Sequence, residues 1–373
     1  MLIVTLASLV LLTVCGGSDS GNSTTAAPHL ASTAQPCLRV SQIAQDVSPS
    51  ALTTETSQSQ RNGLMAAPER GEQTGSAVML EDIVYAVSPS IAASYQYSTL
   101  QCQGQNRYWW DWGGGSGRAA AVNPLPVVAV DGSRRVDVVD DPDGTNLEVF
   151  YFATNPTDPD TSGAGNKRCE ISLGWTEFAY PGKRKVRSVF LPRGRDFWWV
   201  IKFRLGDWRA TSDRQVVWQW LAGDATGLGP LVNLNVWGKA MRLEIHSDGS
   251  DSPSPSTMRK VIPWSTNDWQ PERWYTMVIK AHIDPAVGGG GKLVAWLDAD
   301  LVLNYAGPLG YTSKRPSDYA KFGLYHWTKN NPWDMSLPTR EAWFKGSALV
   351  LDRPGYRYEH ISSIVNDKQP GRR

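Results

Sequence analysis

A sandwich of two antiparallel β-sheets, a jelly roll, is the fold this chain predicts, and three observations predict it. Short alternating runs recur through its second half and more, each closed by turn residues. No helical periodicity longer than about ten residues stands out. Of the 373 residues 41% are hydrophobic, with 17 Trp, 13 Tyr and 8 Phe, which is material for a large core. No internal repeat is visible. A formal net charge of +1 argues against a general nucleic-acid binder.

The segment Met1 to Cys15 is apolar, of signal-peptide length and short for a bilayer span, so export is expected. It lacks the usual positive start. Leu12-Thr13-Val14-Cys15-Gly16-Gly17 resembles a bacterial lipobox, although Val14 is large for that site. Lipidation of Cys15, and with it a membrane anchor, is therefore one expectation; secretion or a periplasmic location are the others. Residues 16–80 are rich in Ser, Thr, Ala, Gln and Gly and read as a flexible leader. Residues 81–105 stay unassigned.

At about residue 106 composition shifts, with Tyr108, Trp109, Trp110 and Trp112 together, and residues 106–356 read as the sandwich domain. Val136 to Val139 runs into the turn Asp140-Asp141-Pro142-Asp143-Gly144, and Leu147 to Phe152 is the next strand. Phe197 to Leu205, Gln215 to Leu221 and Leu231 to Val236 alternate. Lys292 to Leu297 and Leu301 to Tyr305 flank Asp298-Ala299-Asp300, a hairpin signal. Residues 357–373 read as a tail. Four Cys occur, Cys15, Cys37, Cys102 and Cys169; export permits a disulfide such as Cys37 to Cys102, with connectivity open.

The stretch Tyr319 to Trp327 alternates strictly. Tyr319, Lys321, Gly323, Tyr325 and Trp327 take one face of a strand, and Ala320, Phe322, Leu324 and His326 the other. This Tyr-x-Lys-x-Gly-x-Tyr run resembles the C-terminal signature of jelly-roll polysaccharide lyases of the alginate lyase family 7 type, with their heparin lyase I and glucuronan lyase relatives. Two earlier segments resemble the family's other motifs in the same order. Lys167 to Leu173 contains Arg168-Cys169-Glu170 where the family has Arg-x-Glu. Val216 to Leu221 contains Gln219 where the family has Gln-x-His, with Leu221 in place of the His. The resemblance covers roughly residues 106 to 352.

The resemblance implies a concanavalin-like jelly roll, a monomer, and a lyase cleaving an anionic uronate polysaccharide by β-elimination. It implies no catalytic metal, with a structural calcium in some relatives. Tyr325 would be the acid and base. Arg168, Gln219 and Lys321 would handle the uronate carboxylate, and Glu170 would hold Arg168. The chemistry needs such groups, because charge builds on the carboxylate in the transition state and preorganised donors stabilise it. Cations such as Lys321 are expected to lower the Tyr325 pKa. Leu221 cannot accept a proton, so a syn-elimination by Tyr325 alone is the route left without a second group.

Asn233, Asn235 and Tyr319 are candidate substrate contacts, and His246, which shares a polar face with Arg242 and Glu244, is a candidate for the missing His. His326 points to the core face, His282 falls on a back-sheet strand and His29 in the leader. The cluster Lys183, Arg184, Lys185, Arg187, Arg193 and Arg195 would attract a polyanion, or would be a solvated loop. Of Trp198 and Trp199, one at most can be a sugar platform. Two other classes compete: a carbohydrate-binding protein that lost catalysis with the His, and a glycoside hydrolase, which needs two carboxylates facing across a groove where only Glu170 is placed.

Overall fold

The computed structural model describes residues 77–89, 98–102, 127–129, 131–159, 166–173, 189–223, 227–314, 317–327 and 330–366. All lie in the unit Gly71–Arg373. The expected signal segment, leader, Cys15, Cys37, the Tyr108 to Trp112 aromatics and the stretch Lys183 to Arg187 lie outside the described residues. After a 3-10 turn at Leu80–Asp82 come β1 (Ile83–Val87), β2 (Ser98–Cys102), β3 (Val127–Val128), β4 (Arg134–Asp140), β5 (Glu148–Thr154) and β6 (Lys167–Leu173). Then follow β7 (Phe197–Leu205), β8 (Arg214–Leu221), β9 (Val232–Trp237), β10 (Ala240–Asp248), β11 (Arg259–Thr266) and β12 (Trp274–His282). The chain continues through β13 (Lys292–Leu297), β14 (Asp300–Ala306), β15 (Gly310–Tyr311), β16 (Tyr319–His326), β17 (Arg340–Leu351) and helix α1 (Tyr358–Ser362).

These strands build two sheets, a jelly-roll sandwich. One runs β14-β13-β12-β7-β17-β5-β4-β3, with β1 also on β17; the other runs β11-β10-β9-β8-β16-β6-β2, with β15 also on β10. The pairing is antiparallel apart from the short β10–β15 ladder. The stretch that the sequence left unassigned supplies β1 and β2, and the expected tail supplies α1.

Alternation packs one face of each sheet against the other. Trp199 of β7 meets Trp218 of β8 at 4.7 Å and Trp220 edge-on at 5.8 Å between ring centres. Phe322 of β16 meets Phe344 of β17 at 5.0 Å. Offset and edge-on pairs of this kind add to the burial of the rings themselves. Trp198 points the other way, onto the outer face, where Trp296, Tyr356, Ile361 and Val365 cover it. Neither Trp198 nor Trp199 is therefore a sugar platform: one is core and the other lies under the C-terminal segment.

β17 sits at the centre of its sheet. It pairs with β7 along one side, and on its other side β5 takes Arg340 to Phe344 and β1 takes Ser347 to Val350. Gly346 stands at the handover, where a Cβ would lie 2.4 Å from the Val87 carbonyl oxygen, so a side chain has no room.

The disulfide joins Cys102 to Cys169, not Cys37 to Cys102. The physical reason is register. β2 lies on the edge beside β6, and Cys102 falls opposite Cys169 with their Cα atoms 4.1 Å apart. Both side chains point to the core, directly behind the face that carries Arg168 and Glu170.

Candidate active site

The three motif segments, far apart in sequence, become neighbouring strands: β6, β16 and β8 lie side by side. Tyr325 falls opposite Arg168 on one side and Val216 on the other, and Lys321 falls between Ser172 and Gln219. Residues opposite each other in a ladder project to the same face. The motif side chains therefore share one face of the eight-stranded sheet.

Glu170 is their hub. Its buried carboxylate lies 2.9 Å from the Arg168 Nε, accepts a hydrogen bond from the Gln219 Nε2 at 2.7 Å, and lies 3.9 Å from the Lys321 Nζ. The Arg168 guanidinium lies over the Tyr325 ring at 4.0 Å. One carboxylate thus orients the groups that could meet a substrate carboxylate, and Arg168 carries the link to the phenol. Burial of a charge is tolerated because the partners are charged and hydrogen-bonded.

Electrostatics departs from the sequence expectation at Tyr325. Burial raises its pKa above the ordinary value, with Arg168 opposing that and Glu170 adding to it. Lys321 is not the cause of a lowering. Burial, reinforced by Arg168 and opposed by Glu170, brings the Lys321 pKa down to about 7. Near neutrality it supplies only part of a positive charge, and the cations that favour the phenolate are Arg168 first and then Arg214.

The other candidates take separate places. Asn233 lies opposite Gln219, and Asn235 opposite Val216, with the Asn235 amide donating to the Asn233 side-chain oxygen. Tyr319 lies opposite Leu221, with the Lys321 Nζ 5.8 Å from its ring centre. Leu221 therefore stands on the motif face beside Tyr319, six positions along β16 from Tyr325 (about 20 Å of strand). His246 is buried on β10, 3.7 Å from Glu244 and against Gly229. β10 is three strands from β16, about 14 Å across the sheet, so His246 is not within proton-transfer reach of Tyr325.

His326 faces the core against Trp333, its Nε2 2.9 Å from the Asn331 carbonyl oxygen. His282, in the nine-stranded sheet, pairs with Asp196. Arg193 does not belong to a free basic cluster: it holds buried Asp318 through two nitrogens and the Tyr311 carbonyl through a third.

Simple alternation from Gln219 sends Val217 and Gln215 to the motif face. The structure sends Val216 and Arg214 there instead, because β8 carries a bulge between Val216 and Trp218 that places Val217 and Trp218 both in the core. Arg214 is the residue this hides from a sequence reading. It lies 3.5 Å from Glu244 and 5.4 Å from the Trp327 ring centre.

The family model described as polysaccharide lyase matches residues 95–347. The chain belongs to that family.

Among solved structures, this polysaccharide lyase is similar to an endo-β-1,4-glucuronan lyase from the fungus Trichoderma reesei, at 14% identity and a TM-score of 0.46, over 58% of this chain and 87% of that one. An alginate lyase from Corynebacterium sp. matches at 13% identity and 0.41, over 70% and 98%. An alginate lyase from Pseudomonas aeruginosa matches at 15% and 0.40, over 59% and 87%. No curated protein sequence matches the chain.

Lys321 gives this lyase a testable pH signature. Its folded pKa of about 7 lies below the ordinary lysine value of 10.5. Between those two values the unfolded chain binds the extra proton, so stability rises with pH across that window and levels off on either side. Denaturant midpoints measured from pH 6 to 10 should show this rise, and Lys321→Met should flatten it. An unchanged slope in the variant would place the titration elsewhere.

Proposed function

We propose that this polysaccharide lyase cleaves a uronate polymer by β-elimination at Tyr325. The observation that carries the reading is the Arg168–Glu170–Gln219–Lys321 cluster on the same face as Tyr325. A uronate carboxylate near Arg168, Gln219 and Lys321 has its developing charge stabilised as the proton beside it is removed. The Tyr325 oxygen takes that proton, the bond to the leaving glycosidic oxygen breaks, a carbon–carbon double bond forms beside the carboxylate, and the proton passes from Tyr325 to the leaving oxygen. Base and acid are one group, so both departures occur on one face of the sugar. This syn course needs nothing from position 221. We also propose export, on the apolar Met1 to Cys15 segment.

The test is incubation of the purified protein with homopolymeric and alternating uronans while following the ultraviolet absorbance of the new double bond. Growth of that signal on at least one polymer is the expected result. Binding to a uronan without any signal would instead favour a carbohydrate-binding protein in which Leu221 marks lost catalysis.

A further inference from the structure

Beyond the motif residues, the same face carries two tryptophans and two arginines to which the proposed elimination assigns no contact with the reacting sugar. Trp327 follows Tyr325 by two positions, about 7 Å along β16. The Arg214 guanidinium lies 5.4 Å from its ring centre. Arg214 falls opposite Trp237 of β9, and the Arg242 guanidinium lies 5.3 Å from the Trp237 ring centre. Arg242 closes the row Arg168–Tyr325–Val216–Asn235–Arg242, which crosses the sheet in register.

Both indoles are open to solvent, Trp327 at 40% and Trp237 at 45% exposure. The Trp237 indole nitrogen donates to the Ser212 carbonyl, and the Trp327 carbonyl accepts from the Asn331 amide, which is itself tied to the Arg214 backbone. Charge is unbalanced. Arg214, Arg242 and Lys260 are three cations, and among the described residues Glu244 is the one carboxylate paired to any of them, at 3.5 Å from Arg214 and 2.8 Å from Lys260. Arg242 has no carboxylate partner among the described residues. An excess of two positive charges beside exposed indole faces suits a ring that is apolar on its face and anionic at its edge.

We propose that Trp327–Arg214 and Trp237–Arg242 form a track that binds the next acidic sugars of the polymer as it leaves Tyr325 toward β10. The proposal rests on the uronate reading above and deepens it. The track reads a carboxylate on consecutive sugars, so the enzyme prefers a homopolymeric uronan to a glycan in which uronate alternates with a neutral sugar.

The experiment is calorimetric titration of the full chain carrying Tyr325→Phe, which is expected to hold polymer without cleaving it. The ligands are uronan oligosaccharides of increasing length and alternating oligosaccharides of matched length. Arg242→Gln and Trp327→Ala, each added to that background, should weaken the homopolymeric ligand about tenfold and narrow its advantage over the alternating one. Arg134→Gln, which removes an exposed charge from the other sheet, is the control for net charge and should change neither. Circular dichroism verifies that each variant is folded.

Variants that bind both ligands as the parent does would overturn the track and leave the lyase reading standing. Binding that depends on Arg242 in a protein whose wild type forms no unsaturated product would support the track and overturn the lyase reading. A parent that binds no uronan overturns both.

Discussion

Tyr325→Phe is expected to lower turnover by about a thousandfold or more while leaving polymer binding within a few fold. In the proposed elimination the phenolic oxygen both receives and returns the proton, so its loss removes two steps at once. The ring remains, and with it the stacking under Arg168 at 4.0 Å. A merely structural role would predict the reverse, with a shift in thermal midpoint and little change in turnover. The pH dependence adds an independent check. Burial holds the Tyr325 pKa above its ordinary value of 10.0, so the reactive phenolate is scarce at neutral pH. The specificity constant should therefore climb as pH rises from 7 toward 10. A profile that falls across that range would place the base on another group. Arg168→Ala, which withdraws the larger of the two cationic influences favouring the phenolate, should push the rising limb to still higher pH.

Gly323→Ala is the second large effect, and it acts through the backbone. Gly323 has φ +135, a conformation that side chains rarely adopt. A Cβ there would lie 2.3 Å from the Cys169 carbonyl oxygen and 2.7 Å from the Glu170 Cα. Both obstacles are main-chain atoms of the paired strand, so relief means moving β16 off β6. Glu170 faces Gly323 in the ladder, and any such movement displaces the carboxylate that holds Arg168 and Gln219. The expected loss is roughly 3 kcal/mol of stability, with activity falling alongside it. Gly355→Ala separates strain from collision, because Gly355 has φ +93 and nothing within 4 Å of its would-be Cβ. It should lose only about 1 kcal/mol and keep full activity. Equal losses in the two variants would contradict the close-approach argument.

Much of this arrangement was legible in the chain because it depends on local pattern. Phe197–Leu205 and Lys292–Leu297 are strands at the bounds that alternation assigns, and the Asp298-Ala299 turn takes the positive φ values of a tight hairpin, 51 and 77. The faces of Arg168, Glu170, Lys321 and Tyr325 follow from period two alone. What stayed hidden depends on long-range pairing. Whether Cys102 meets Cys37 or Cys169 is decided by β2 docking on β6, sixty-seven residues later in the chain. Arg214 reaches the motif face only through the bulge in β8, and a bulge leaves no mark in a run of apolar residues. The pKa of Tyr325 depends on how deeply the site is buried, which sequence spacing does not encode.

The position of β17 bears on when this protein can fold at all. The last strand to be synthesised is the one that β1, β5 and β7 all require as a neighbour. A chain emerging from its N-terminus has its sheet's middle missing until residue 351 is made, so no growing intermediate can close early. On the export proposed above, that delay is an advantage, since it keeps the polypeptide in a form that can pass a membrane pore. Loss of the C-terminal strand by truncation would leave three strands with open edges in the same molecule.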